Sequence, residues 1–267
     1  MIRHLLTRRF DIAIDLFGNP RSALLTFLSR AKTRIGGDFR MRKHFYTRSI
    51  SLPDTNISSI DFHLAYLQPL DIEFKKRDPY LTLSEAEQQW ANSYLLEKKI
   101  HLDKTIIGLH PGATWPAKRW MPQRFAQLAD RLTDRGYQVI FTMGPNEQSL
   151  LKEVFKYTTK TFTPPELLTL RQLTALISLF HVYVSNDCGP MHIGPAVNTP
   201  TVGIFGPGEP HIWFPYSPDN GHQLVYHQID CSQCHQDFCE KMDCMKAITV
   251  HYVLDRISVA LNRGKTK

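Results

Sequence analysis

From Lys104 onward the chain alternates short apolar runs with amphipathic stretches across brief turns, and this alternation constrains the fold more than any other feature. A strand covered on both faces reads as a continuous apolar run, whereas a helix lying on a sheet shows apolar residues at i, i+3, i+4 and i+7. Regular succession of the two implies a parallel sheet with helices on its faces, an α/β fold. The pattern predicts strands at 105–110, 137–142, 182–185 and 201–205. Pro122 opens a helix with Phe125, Leu128, Ala129 and Leu132 on one face and Gly136 at its end. Further helices are expected over 147–157, around Leu173, Leu176, Ile177 and Phe180, and from Pro190 onward.

The first part is less regular. A strand is expected at 10–16, a helix near 21–31 and a loop-rich stretch to about residue 82; Ser84-Glu85-Ala86-Glu87 is a capping box that starts a helix running to about Lys99. The polar turn at residues 101–104 is the expected boundary. It separates a partial N-terminal domain with a linker helix (1–100) from a C-terminal domain closed by a C-terminal helix (101–267). At 267 residues and 42% hydrophobic composition, two modest cores can form.

No apolar run is long enough to cross a bilayer, and Arg3 and Arg8 break the N-terminus before a signal-peptide core forms, so the cytoplasm is the expected compartment. Residues 1–50 hold eleven Lys/Arg against three Asp/Glu, a surplus larger than the +7 of the whole chain. A basic end of this kind suits nucleic acid, anionic headgroups, a phosphorylated acceptor or plain solvent. Few aromatics are interleaved and no nucleic-acid motif is present, which argues against nucleic acid.

The chemistry concentrates at three predicted strand ends, where an open parallel sheet presents its ligand crevice. The first is Ser185-Asn186-Asp187-Cys188-Gly189-Pro190-Met191-His192. Gly189 permits close approach, Pro190 suits a first helical turn, and free amides there favour an anion such as a pyrophosphate. Asp187 reads as an N-cap or acceptor, and His192 as a donor to a phosphate oxygen; the bland alternative is a strand–turn–helix with Asp187 only capping. The second is His110-Pro111-Gly112-Ala113-Thr114-Trp115-Pro116-Ala117-Lys118, in which Thr114 can bond a phosphate and Lys118 neutralise one. The third is Met143-Gly144-Pro145-Asn146-Glu147, where Glu147 can accept from ribose hydroxyls. Taken singly, Lys118 reads equally as a surface lysine and Glu147 as an acid at a helix N-terminus.

His-Pro-Gly-Ala-Thr followed by Lys-Arg-Trp-Met-Pro, then Gly-Pro-Asn-Glu, Ser-Asn-Asp-Cys-Gly-Pro-Met-His and Thr-Pro-Thr-Val-Gly-Ile-Phe-Gly-Pro form an ordered set. This set resembles the family 9 glycosyltransferases, which include the ADP-heptose:lipopolysaccharide heptosyltransferases. The resemblance runs from about residue 8 to the end and includes Arg34-Ile35-Gly36. It implies a GT-B fold of two Rossmann-like domains, here with the N-terminal one incomplete. It further implies inverting, metal-independent transfer of heptose from ADP-heptose to a lipid A-core acceptor at the inner membrane surface, by a cytoplasmic or peripheral protein. By the same match Thr114, Lys118, Glu147, Asp187, Cys188, Gly189 and His192 are expected around the ADP part of the donor. The family's catalytic base lies in a glycine-containing loop that this sequence does not match, so no catalytic residue is assigned; Asp11 and Asp15 are not nominated. The alternative expectation is a catalytically impaired or non-catalytic nucleotide-binding protein with a cysteine-bound zinc and a basic face. Cys188 stands where the family usually has Thr or Ser, and Gly194-Pro195 interrupts the helix expected after Pro190.

Four cysteines, Cys231, Cys234, Cys239 and Cys244, fall within 14 residues, with His235 among them. Cys-x2-Cys is a spacing of structural zinc sites, the x4 spacings are less so, and free thiols remain the alternative. No cofactor is expected for the reaction itself. The chain contains no Asp-x-Asp of the kind that holds a divalent cation in other transferases.

Overall fold

The computed structural model describes residues 2–51, 56–74 and 77–264. The chain divides into two compact units, 1–77 and 78–267. The first contains helix α1 (Ile2–Thr7), β1 (Ile12–Asp15), α2 (Pro20–Leu28), β2 (Thr33–Gly37), β3 (Arg48–Ile50) and α3 (Ser59–Ala65). Its three strands pair in parallel in the order β1-β2-β3. The expected strand and helix are present. The loop-rich stretch expected after them instead holds β2 and β3, while residues 52–55 and 75–76 lie outside the described residues. Both strands escaped the pattern for physical reasons: β2 ends in two glycines, and β3 has three residues, two of them exposed.

Asp15, 4% exposed at the end of β1, organises this unit. Its carboxylate accepts from the Phe17 and Gly18 amides at 3.1 and 2.9 Å, from Ser22 Oγ at 3.0 Å and from Tyr46 Oη at 2.7 Å. The β1–α2 turn, the first turn of α2 and the end of the 3-10 segment Arg40–Phe45 thus converge on one buried carboxylate. Part of the basic surplus is used nearby. Arg34 donates to the carbonyls of Phe45 and Ala31, Arg42 to that of Gly18, and Arg48 to that of Pro69.

The second unit contains α4 (Glu85–Glu97), β4 (Ile106–His110), α5 (Pro122–Asp134), β5 (Gln138–Phe141), α6 (Gln148–Lys156), α7 (Leu170–Ile177), β6 (Val182–Asn186), α8 (Ile193–Ala196), β7 (Thr201–Phe205), α9 (Pro210–Trp213), β8 (Gln223–Tyr226), α10 (Asp243–Ala247) and α11 (Val250–Gly264). All five strands are parallel, in the order β5-β4-β6-β7-β8. Alternate strand residues feed opposite faces, as the period of two requires. Ile107, Leu109, Val182, Val184, Val202 and Ile204 pack with α5 and α11 on one side. Ile106 and Tyr183 pack with α4 and α7 on the other. The predicted face of α5 is buried, and Gly136 follows its end with φ +81°. The β8 strand was missed because its inward positions begin with a glutamine and Leu224 faces out.

The expected boundary at 101–104 falls inside the second unit. The capping box at Ser84 and Glu87 forms as read, but its helix belongs with α7. Leu95 packs with Leu173, Leu176 and Phe180, and Arg171 pairs with Glu87, holding its carboxyl down at about 2. Those partners lie far downstream, Arg171 being 84 residues from Glu87, so the sequence pattern around Ser84 could not reveal them.

Replacing Asp15 by Ala should lower the unfolding free energy by about 3 kcal/mol, since several donors lose a charged acceptor at once. Urea denaturation followed by circular dichroism would measure it. A change below about 0.5 kcal/mol, typical of surface sites, would show that the carboxylate does not hold this turn.

Candidate functional site

In the 78–267 unit the segments 111–120, 142–147, 187–192 and 206–213 follow β4, β5, β6 and β7, and parallel pairing delivers all four to one edge. Asn186, the fully buried last residue of β6, ties the first of these to the third. Its amide nitrogen donates to the Pro111 carbonyl at 2.7 Å, and its Oδ1 accepts the Trp120 amide at 3.1 Å. One side chain therefore holds both ends of the 111–120 loop. The middle of that loop is a 3-10 turn, Pro116–Lys118, whose Ala117 amide donates to the Asp237 carbonyl at 3.0 Å. Lys118 Nζ is thereby placed 2.6 Å from Asp187 Oδ2 and 4.7 Å from the centroid of the Trp115 ring. Among the described residues that ion pair is the partner of the buried Asp187 Oδ2, which accepts no other hydrogen bond.

A cavity of about 420 Å³ opens here, and Thr114, Lys118, Asp187, Cys188, Gly189 and His192 line it, six of the seven residues expected around the donor. The sequence reading missed four other side chains on its wall: Trp115, Glu209, Trp213 and His235. Trp115 lies within a segment singled out for its neighbours. The others follow the last predicted strand or sit within the cysteine cluster, and nothing in their spacing marks them.

Two features differ from expectation. Pro190 opens not a regular helix but a 3-10 turn, Gly189–His192, followed by the four residues of α8, because Pro195 lacks the amide needed to propagate a helix. The residue at the cap position is Cys188, with no side-chain cap bond, so Asp187 is freed for Lys118. Aligned peptide dipoles in so short a segment sum to less than those of a full helix. Glu147 stands outside the cavity lining. Its Oε2 accepts the Gly144 amide at 2.6 Å and lies 3.6 Å from His110 Nε2. A Cβ on Gly112 would come within 2.0 Å of the Glu147 carboxylate, which explains the glycine after Pro111. Glu147 thus packs against the backbone of the 111–120 loop at Gly112.

His192 Nδ1 lies 2.7 Å from Tyr216 Oη. Burial pushes the Tyr216 phenol up to about 12, so the phenol stays protonated near neutrality and shares one hydrogen bond with Nδ1. Burial also lowers the His192 pKa, with Asp187 opposing and Lys118 adding to the shift. Burial raises the Cys188 thiol to about 12, and a group so fully protonated near neutrality is no nucleophile.

Cys231, Cys234, Cys239 and Cys244 are free thiols, the first two exposed. Among the described residues no group of three or more His, Cys, Asp or Glu is arranged to hold a metal ion as the side chains stand, while burial and the nearness of Cys231, Cys234 and Cys239 raise the Cys244 thiol. The segment is nonetheless docked at the site through the Asp237 carbonyl and the His235 side chain.

An open parallel sheet with a polar crevice across its strand ends is the α/β arrangement in which ligands bind outside the carboxyl ends of the strands. The model of glycosyltransferase family 9 (heptosyltransferase) matches residues 1–244, and the chain belongs to this family. Lipopolysaccharide heptosyltransferase 3 of Escherichia coli is 26% identical over 227 residues, covering 81% of this chain and 65% of that protein. The chain spans about 65% of the length of the curated relatives of which this is the first. A glycosyl transferase family 9 protein from Veillonella parvula matches the fold with a TM-score of 0.81 at 21% identity, over 98% of this chain and 76% of that one. The ADP-heptose lps heptosyltransferase II of E. coli matches with a TM-score of 0.75 at 23% identity, over 99% of this chain and 80% of that one. The expected α/β fold with parallel sheets, of the GT-B heptosyltransferase kind, is therefore observed.

Asn186→Ala should cost about 2–3 kcal/mol of stability, because it strands a buried amide and a buried carbonyl together; chemical denaturation would report it, and a neutral result would remove Asn186 as the tie of the 111–120 loop. A second expectation concerns acid. His192 has a folded pKa below its unfolded value of about 6.5, so the unfolded chain binds the extra proton and stability falls as pH drops below that value. The melting temperature of His192→Gln should therefore decline less steeply between pH 7 and pH 5 than that of the parent chain; equal slopes would show that His192 does not titrate differently on folding.

Proposed function

We propose that this family member transfers a heptose from ADP-heptose to the inner core of lipopolysaccharide, with inversion and without a required metal. The observation that carries the reading is the convergence of Lys118, Thr114, Gly189 and His192 on one cavity at the carboxyl edge of the parallel sheet. A lysine ammonium, a hydroxyl, backbone amides beside a glycine and an imidazole N–H are the donors a pyrophosphate needs. In the proposed reaction a deprotonated acceptor hydroxyl attacks the anomeric carbon. The bond from that carbon to the β-phosphate oxygen breaks, and its electron pair leaves with ADP. Lys118 meets the charge that develops on the departing phosphate, a contribution larger in the transition state than in the ground state. No residue is assigned as the base.

The proposed acceptor is a phosphorylated, lipid-linked glycan at the cytoplasmic face of the inner membrane. Among the described residues no helix is long and apolar enough to cross a membrane. Contact with that surface would rest on the basic residues of the first unit that the fold leaves exposed, such as Arg40 and Lys43. A second reading is donor binding at the same cavity without turnover.

Calorimetric titration with ADP followed by ADP release from ADP-heptose, with lipid A-core acceptor present, tests both. Binding with acceptor-dependent release supports transfer, binding alone supports the second reading, and absence of binding refutes the donor site. Lys118→Ala should weaken ADP by about tenfold or more, the worth of one charge-assisted contact. Unchanged affinity would remove Lys118 from the site.

A further inference from the structure

Residues 227–242, between β8 and α10, contain neither helix nor strand, and none of residues 227–244 is buried. Holding a backbone in one conformation costs entropy at every residue, and buried apolar side chains ordinarily offset that cost. Here the offset is small: Phe238 is 63% exposed, and only at the end do Met242 and Cys244 pack against the core. The segment is nevertheless sharply folded. Gln233, His235 and Met242 have φ of +60°, +54° and +52°, three of the nine non-glycine residues in left-handed backbone among those described. Such conformations persist only where the surrounding structure over-determines them. The place of the segment is fixed as well, because the Ala117 amide of the Lys118 turn donates to the Asp237 carbonyl at 3.0 Å. One backbone bond is too little to order so long a stretch.

The four cysteines occupy the points from which it can be held. Cys231 and Cys234 span a tight turn, in which the Ser232 amide donates to the Ile229 carbonyl at 2.9 Å and the left-handed Gln233 and His235 flank Cys234. Cys239 begins a second turn, and the amide of left-handed Met242 donates to Cys239 Sγ at 3.4 Å. A thiol sulfur is a weak acceptor, whereas a charged acceptor binds an amide about twice as strongly. Donors of this kind orient metal-bound ligands. Cys244 is the anchored member: Met245 beside it is fully buried, and a Cβ on Gly206, after β7, would lie 3.3 Å from Cys244 Sγ. The other three thiols lie near enough to act on it electrostatically.

We infer that Cys231, Cys234, Cys239 and Cys244 bind one Zn²⁺ ion that staples the 227–242 segment to the end of the sheet. None of the four is in a disulfide, and four soft sulfur ligands suit tetrahedral zinc. As the side chains stand the sulfurs do not converge. Cys231 and Cys234 are exposed, however, so their sulfurs turn about Cα–Cβ without disturbing a packed core, and the binding free energy of the metal draws them in. Each thiol releases its proton to solvent as its sulfur binds. His235 stands outside the set, its Nε2 facing Glu209 at 3.9 Å. The ion takes no part in the transfer proposed above; it fixes the segment to which the Lys118 turn is tied.

The test uses the full chain, freed of any affinity tag, loaded with zinc under reducing conditions and then dialysed against metal-free buffer. Elemental mass spectrometry should find about one zinc per chain, and a thiol-capping mercurial should release it. With Co²⁺ in place of zinc, a sulfur-to-cobalt charge-transfer band should appear in the near ultraviolet, a signature that oxygen and nitrogen ligands do not give. Cys231→Ser and Cys239→Ser should each weaken zinc about a hundredfold or more, since even loss of a partner behind a ligand costs ten- to a hundredfold. Cys188→Ser, outside the set, should retain the metal. Removing zinc should also speed tryptic cleavage after the exposed Lys241. A parent chain with neither bound zinc nor the cobalt band would overturn the inference, and that result does not depend on whether any variant folds. Undiminished zinc in both serine variants would overturn the ligand set. Uptake of iron in preference to zinc from an equimolar mixture would overturn the choice of ion, and an unchanged cleavage rate would overturn the stapling.

Discussion

Parallel pairing is the constraint on which the rest of this structure depends. A parallel ladder cannot be closed by a hairpin, so each strand must return over a face before the next begins, and every strand ends on the same edge. In the second unit this places four loops side by side without any of them being specified to meet. The sequence then needs only local chemistry within each loop: Lys118 in one, Asp187 and Gly189 in another, Glu209 in a third. The Asn186 amide converts that adjacency into fixed geometry, because a buried amide with two backbone partners cannot shift without leaving one of them unpaired.

What could be read from the sequence followed from what local pattern can encode. The apolar runs of β4, β6 and β7 are buried throughout, and a run of that kind signals a covered strand whatever surrounds it. Six of the residues that line the cavity were legible because they lie at predictable ends of such strands. Where partners come from far along the chain, pattern fails. The assignment of α4 was decided by Leu173, Leu176 and Arg171, and the end of β1 by the meeting of Asp15 with Tyr46. Asp15 looked ordinary in a strand of alternating character. Its importance appears only when four donors are seen to converge on it. His235 was singled out for the cysteines beside it, whereas the fold uses it against Glu209 and the cavity.

The cysteine spacing illustrates the limit of a motif. Four thiols within 14 residues satisfy the composition of a metal site, and Cys231, Cys234 and Cys239 lie near enough to Cys244 to raise its thiol together with burial, but spacing alone does not set the ligand geometry. The segment is tied by a backbone hydrogen bond to the Lys118 turn. Its contribution to the site therefore passes through main-chain geometry, which spacing between cysteines cannot announce.

In the proposed donor site the Lys118–Asp187 pair sets the electrostatics. At 2.6 Å, and with the carboxylate only 6% exposed, the two charges neutralise each other in the free protein. An arriving diphosphate must share the ammonium with Asp187 and meets the repulsion of that carboxylate at the same time. Asp187 therefore has a use other than direct contact with phosphate. It prevents the long lysine side chain from sampling solvent, lowering the entropy lost when the ligand arrives. The charge developed on a departing nucleoside diphosphate exceeds that on the bound donor, so the proposed reaction draws Lys118 further from Asp187 as the bond breaks. A lysine held by a competing carboxylate favours the transition state over the ground state more than an unpaired lysine would, because part of its attraction is withheld until that charge appears.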